Sequence, residues 1–280
     1  MEHSSDRERS QVELKGVPFY YEIAGKGNPV VWVHAGIADN RMWDGQFELF
    51  KHGYDVVRYD QRGYGRTPKG QGDFSYVQDL TAFIDFLGLE KVALVGCSMG
   101  GRANIDYALA NPERVAGLVT VSGGVSGYNF ESEIPPAMLE LWNEYDAAEA
   151  AGDVARIADL AVRIWIDGPR RPEEVAPVIR EKVREMATIA AVNDLLPGKE
   201  IPPEHPAADR LAEIKVPVLV IVGELDNSHI HSTADKIVSD VPQARKLLIT
   251  QTNHLPNLEK PEEFNREVML FLGSLGNYGS

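Results

Sequence analysis

VALVGCSMGGRAN, running from Val92 to Asn104, passes from an apolar β-branched run into a glycine-flanked serine and then into a helix-compatible segment. Ser98 stands between Gly96 and Gly100. Small residues at those positions let a chain turn sharply from strand to helix and hold the central hydroxyl out of the sheet. The start of the helix that follows aims backbone N–H groups at any negative charge forming beside it. The competing reading is a close-packed turn whose serine merely caps a helix, and the residues that could act with Ser98 decide between the two. Cys97, the chain's single cysteine, is expected to point into the packed turn, because this pattern exposes its central residue.

Outward from this stretch, similar apolar runs recur: VPFYYEIA, PVVWVHAG and YDVVRYD before it, VAGLVTVSGG, VPVLVIVGELD and ARKLLITQT after it. Near-continuous apolar strands alternating with helical patterns predict an α/β fold, a mostly parallel central sheet with helices on both faces. YVQDLTAFIDFLGLE supplies one such helix, with Val77, Leu80, Phe83, Ile84 and Leu87 at helical spacing and Gly88 as its stop. From about Ser126 to Pro206 the strand-like runs vanish. PPAMLELWNEYDAAEAAGD, VARIADLAVRIWIDGP and PEEVAPVIREKVREMATIAAVNDLL there predict three or four helices, flanked by Gly-, Ser- and Pro-rich segments. The division that follows is a core in two parts, residues 1–125 and 207–280, with a helical cap inserted at 126–206.

The 280 residues are 44% hydrophobic and 25% charged, enough to bury a sizeable core. A formal net charge of −14 opposes a nucleic-acid backbone or an anionic membrane surface as partner. A single cysteine excludes an internal disulfide framework and a CxxC site. MEHSSDRERS is polar and mixed in charge, without the apolar centre of a signal peptide, and no later run approaches membrane-spanning length. The expectation is a cytoplasmic protein with a short frayed start. Oligomeric state leaves no mark in the sequence.

A serine hydroxyl is a poor nucleophile near neutral pH and needs a histidine base held by a carboxylate. His254 lies in TQTNHLPNLEKPEEF, a turn-rich loop between a strand and a helix opened by Pro261. His229 and His231 follow GELD and read as surface or pocket-rim residues. Asp226 ends VPVLVIVGELD at the carboxyl end of a strand, where functional groups of open α/β sheets gather; Glu224 is its neighbour. VAGLVTVSGG ends without a carboxylate, which leaves Asp226 as the acid. Two backbone donors are also needed for an oxyanion. Met99 follows the nucleophile, and Gly36 in VVWVHAGIAD allows close backbone approach. His34 reads as an organiser of that loop through hydrogen bonds. Trp142 and Trp165 either line an apolar pocket above Ser98 or form the cap's own core, and Trp43 reads as core.

Together HAGIADNRMW, DQRGYGRT, GCSMGG, and GELD with NHLPNLEKPEEF resemble the α/β-hydrolase superfamily, in its order and across almost the whole chain. The resemblance implies Ser98 as nucleophile, Asp226 as acid, His254 as base, Gly36 and Met99 as oxyanion-hole donors, and the insertion as cap. It implies a structural turn at Asp60, Arg62 and Gly65, with Arg62 an internal ion-pair or hydrogen-bond partner. His34-Ala35 departs from the His-Gly of many relatives. The expected activity is a serine hydrolase, with no metal or cofactor, cleaving a small ester or lactone through an acyl-enzyme. Carbon–carbon bond hydrolysis, cofactor-free haloperoxidase or perhydrolase chemistry, and a ligand-binding sensor are the alternatives.

Overall fold

The computed structural model describes residues 8–129 and 134–279. Among these residues eight strands form one sheet: β1 (Glu8–Leu14), β2 (Val17–Gly25), β3 (Asn28–Val33), β4 (Tyr54–Tyr59), β5 (Val92–Cys97), β6 (Val115–Val121), β7 (Val218–Gly223) and β8 (Ala244–Ile249). Their spatial order is β1-β2-β4-β3-β5-β6-β7-β8. β1 and β2 pair antiparallel, as do β2 and β4, and every other pairing is parallel. The mostly parallel sheet expected from the continuous apolar runs is therefore present.

Alternation along a strand sends side chains to opposite faces, so a strand buried on both must be apolar throughout. In β3, Val31 and Val33 belong to the core cluster that also holds Leu80, Phe83 and Ile84 of α2 (Tyr76–Phe86), Ile105 of α3 (Met99–Ala110) and Ile230 of α7 (Ser228–Asp240). Val30 and Trp32 face the other way, onto Phe47 and Phe50 of α1 (Asp44–Phe50) and Phe264 and Phe271 of α9 (Pro261–Ser274). Trp43 is fully buried against Trp32, as read from sequence.

One expectation fails at the N-terminus. The frayed start covers residues 8–10, which instead open β1, with Ser10 opposite Tyr21; residues 1–7 lie outside the described part. Ser10, Val12 and Leu14 turn partly inward while Arg9, Gln11 and Glu13 are exposed. An edge strand with one solvated face and charges on it carries no apolar run to recognise.

Among the described residues between β6 and β7 lie three α-helices, α4 (Pro136–Ala151), α5 (Val154–Val162) and α6 (Pro177–Asp194). A π-helical turn, Arg163–Asp167, continues α5 and closes with Gly168 N–H donating to the Arg163 carbonyl at 3.1 Å. Ile157 and Leu160 pack with Ala148 and Ala191. Val162, Ile166, Val183 and Met186 join the cluster that contains Trp32 and Val95, so one side of this helical segment shares its core with the sheet.

The DQRGYGRT turn follows β4. Asp60 accepts from the Asn40 N–H and side-chain amide at 2.8 and 2.7 Å, and from Arg66 N–H at 2.9 Å. Gly65 has φ +53° and lies so close to the Asp60 carboxylate that a Cβ would clash with it. Burial, with Asp39 nearby, pushes the Asp60 carboxyl up to about 7. Arg62 is buried and forks onto Asp79 at 2.7 and 2.9 Å, an internal ion pair.

Candidate active site

Ser98, Asp226, His254 and Gly36 all lie just beyond the carboxyl ends of parallel strands, β5, β7, β8 and β3. Parallel packing with right-handed crossovers gathers those ends along one edge of the sheet, where open α/β folds carry their chemistry.

Ser98 joins β5 to α3 with φ +53° and ψ −114°, and its side chain makes no helix-capping hydrogen bond. A non-glycine residue at positive φ is strained and persists only when its surroundings hold it. Ser98 N–H donates to the Val121 carbonyl at 2.9 Å, and the Ser98 carbonyl accepts from Arg102 and Gly124 at 3.0 and 3.2 Å. The flanking glycines permit the turn: a Cβ on Gly100 would collide with the Val33 and His34 carbonyls. These contacts weaken the reading of Ser98 as a mere capping serine. Cys97 is fully buried, its thiol against the His254 carbonyl at 3.8 Å, and burial pushes its pKa well up.

His254 and Asp226 are brought together. His254 Nδ1 lies 2.9 Å from Asp226 Oδ2, with both side chains essentially inaccessible. The other carboxylate oxygen, Oδ1, accepts from Asn227 N–H at 2.8 Å, which fixes the plane of the acid. Glu224, the neighbouring acid, is exposed and accepts from Gln251 N–H at 2.8 Å. The His254 loop is tied down on the other side. His254 N–H donates to the Trp165 carbonyl at 3.3 Å, and the Asn253 amide to that of Ile164 at 3.3 Å. Glu259, in α8 (Pro256–Glu259), accepts from Asn253 N–H at 2.8 Å and pairs with Arg170 at 2.6 Å.

Trp165 rests on the imidazole itself, ring centroids 4.3 Å apart and tilted by 40°. It also meets Trp142 edge-on at 5.2 Å and His229 at 5.8 Å. The two tryptophans are thus in contact, one of them on His254. Both lie outside the linings of the two cavities that adjoin Gly36 and Met99. His229 is half-buried beside this group, and burial lowers its pKa, with Asp226 opposing. His231 lines an open surface depression instead.

The β3 loop is organised by His34, fully buried. Gln61 N–H donates to its Nε2 at 2.9 Å, which leaves the proton on Nδ1 to donate to the Ala35 carbonyl at 2.8 Å. Among the described residues, neither Ala35 nor Gly36 has positive φ, so the alanine that departs from the His-Gly pattern is sterically ordinary. A Cβ on Gly36 would find ordinary contacts, 3.5 Å to the Tyr64 hydroxyl and 3.7 Å to Met99 Cβ. Smallness there keeps space open rather than relieving the backbone, which differs from the sequence reading. Met99 opens α3, whose first N–H groups have no intrahelical partner.

Burial holds His34 down at about 4. Its ring is therefore expected to stay neutral from pH 8 to pH 5 and to titrate near 4 in an NMR pH series, assigned with His34→Gln. A midpoint near 6.5 would contradict the buried acceptor role. In the unfolded chain the same ring takes its proton near 6.5, so stability from this group is lost as pH falls from there towards 4, by about 3 kcal/mol. Asp60, with its raised pKa, acts in the opposite sense over much of that range, so the ring's own titration is the measurement.

Sequence reasoning missed Tyr64, which lines both cavities, and the Arg170–Glu259–Asn253 tie. Tyr64 was in view between two glycines of the DQRGYGRT turn, but only as part of a structural motif. Among the described residues no group of three His, Cys, Asp or Glu side chains has the arrangement of a metal site. Nor is any helix among them long and apolar enough to cross a membrane.

Residues 30–267 match the alpha/beta hydrolase family, and the chain belongs to that family. The pimeloyl-[acyl-carrier protein] methyl ester esterase of Aliivibrio salmonicida is 26% identical to it, covering 90% of this chain and 95% of the esterase. The 2-hydroxy-6-oxononadienedioate/2-hydroxy-6-oxononatrienedioate hydrolase of Comamonas testosteroni is 25% identical, covering 93% of each chain. Among solved structures, Est816, described as an N-acyl homoserine lactone degrading enzyme, superposes with a TM-score of 0.74 at 25% identity, covering 93% of this chain and 99% of that one. The chain is thus an alpha/beta hydrolase whose relatives are named as a methyl ester esterase, an N-acyl homoserine lactone degrading enzyme and a hydrolase of 2-hydroxy-6-oxo dienedioates.

Proposed function

We propose that the protein is a serine hydrolase that cleaves a small ester or lactone through an acyl-enzyme, with Ser98, His254 and Asp226 as its triad. The observation that carries this reading is the buried His254–Asp226 contact at 2.9 Å, on a loop whose backbone meets Cys97, the residue before the strained Ser98. In the forward step His254 Nε2 takes the Ser98 proton as Oγ bonds to the acyl carbon. The same proton then leaves on the alcohol oxygen as the ester bond breaks. Water attacks the acyl-enzyme by the same route, returning a proton through His254 to Ser98 as the acid departs. Asp226 holds Nδ1–H and stabilises the imidazolium. The N–H groups of Gly36 and Met99 receive the oxyanion. The insertion at 126–206, with helices α4, α5 and α6, acts as a cap that walls the acyl pocket and contributes to specificity.

The reading is supported by the esterase and lactonase relatives and by a nucleophile turn held in strain. A time course with p-nitrophenyl esters is expected to show many turnovers per protein, lost by about 10⁴-fold in His254→Ala. Turnover of a vinylogous diketone with none of any ester would replace the reading with carbon–carbon bond hydrolysis. A single slow turnover with saturable binding would favour a sensor.

A further inference from the structure

Resting on the serine-hydrolase reading, we propose that the Tyr64 ring is a partition that restricts the acyl group to a short, uncharged chain. Among the cavities lined by described residues, two adjoin the proposed oxyanion residues. One, of about 210 Å³, is lined by Gly36 and Ile37 and walled by Ile157, Ala161, Ala187 and Ala191. The other, of about 440 Å³, is lined by Met99, Phe74 and Tyr76. Tyr64, Ala190 and Asp194 line both. Of these three only Tyr64 has the bulk to close a passage beside Gly36 and Met99. Its hydroxyl lies 3.6 Å from Met99 Sδ and 3.5 Å from where a Cβ on Gly36 would stand.

The ring is anchored where it stands. It meets the His34 imidazole edge-on at 5.1 Å, and that imidazole is itself held by Ala35 and Gln61. Tyr64 N–H donates to the Gln61 carbonyl at 3.0 Å, and its carbonyl accepts from Thr67 at 2.9 Å, so the backbone cannot easily swing the ring away. A wall fixed at both main chain and side chain defines a chain-length limit rather than a swinging gate.

The smaller cavity sets the size. At about 210 Å³ it has roughly half the volume of the 440 Å³ cavity beyond, which suits a short acyl chain such as hexanoate over decanoate. Its character follows from its lining: Ile37, Ile157 and a row of alanines, with Tyr64 and Tyr145 as polar neighbours, Glu149 and Asp194 as its acidic groups, and no lysine or arginine. Asp194 is paired with Lys69 at 3.2 Å, so Glu149 is the acid of this lining that an incoming carboxylate tail would meet. Removing the Tyr64 ring would open the way to the further 440 Å³, floored by the cluster of Phe74 and Tyr76.

The test is the ratio of kcat/KM for p-nitrophenyl decanoate and hexanoate, with the p-nitrophenyl monoester of adipic acid as the charged probe. The wild type is expected to prefer hexanoate over both by about tenfold or more. Tyr64→Ala, or Tyr64→Leu if the alanine variant folds poorly, should raise the decanoate-to-hexanoate ratio at least about tenfold. Tyr64→Phe, which keeps the ring, should retain the hexanoate optimum. Calorimetric binding of 1-hexanol and 1-decanol reads the same partition without Ser98 chemistry: Ser98→Ala should favour hexanol, and Ser98→Ala with Tyr64→Ala should accept both. An unchanged chain-length profile and unchanged alcohol preference on losing the ring would overturn the partition. Equal turnover of hexanoate and the adipate monoester would overturn the charge restriction. Absence of serine-dependent turnover with every ester would instead count against the hydrolase reading, while the alcohols still decide on Tyr64.

Discussion

Ser98→Ala is expected to lower kcat/KM for a p-nitrophenyl ester by about 10⁴-fold or more, while its thermal midpoint stays within about two degrees of the wild type. The asymmetry follows from the turn. The backbone of Ser98 is fixed by bonds to Val121, Arg102 and Gly124, whereas its side chain caps nothing, so truncation removes chemistry and little structure. Ser98→Gly separates the two contributions further. With φ at +53°, glycine is the residue this position tolerates best, and it should raise stability by roughly 1 kcal/mol while abolishing turnover. A gain in stability at the expense of activity identifies strain retained for function. Ser98→Ala with turnover near the wild-type level would remove Ser98 from the mechanism, and Ser98→Gly melting well below the wild type would contradict the strain.

The second large effect concerns Asp226→Asn. Asp226 Oδ1 accepts from Asn227 N–H and Oδ2 faces His254 Nδ1. An asparagine that keeps the Asn227 bond must put its oxygen there and its NH₂ group towards His254. A donor facing Nδ1 drives the imidazole proton to Nε2, the nitrogen that must be free to accept from Ser98. The expected result is a loss of about 10⁴-fold in kcat with KM little changed. Nitrogen NMR of the His254 ring should show the tautomer reversed. A loss below about tenfold would mean that Asp226 does not orient the base.

The sheet was legible because its central strands are buried on both faces and must be apolar throughout. β1 was not, since a solvated edge strand alternates Arg9, Gln11 and Glu13 with inward residues and looks like a polar tail. The helices between β6 and β7 were legible from their spacing and prolines. The π-helical turn at Arg163–Asp167 was not, because RIWID carries no local signal. The turn is held by Gly168 and by contacts with a loop distant in sequence. The same distance explains the tryptophans. Whether Trp165 lined a pocket above Ser98 or sat in the cap's own core depended on how two remote segments dock, and the docked structure places its ring on the His254 imidazole. His254 and Asp226 could be singled out as strand-end residues, while their contact became visible only with the strands assembled. Tyr64 shows the opposite limit: its motif marks the turn, while the direction of its ring depends on His34 and Met99, which lie elsewhere in the sequence.

The most direct measurement is intact-protein mass after exposure to a fluorophosphonate, followed by peptide mapping. The account predicts one adduct per chain, located on Ser98, absent in Ser98→Ala and formed far more slowly in His254→Ala. No adduct on the folded wild type, or an adduct on Cys97 or any other residue instead, would contradict it.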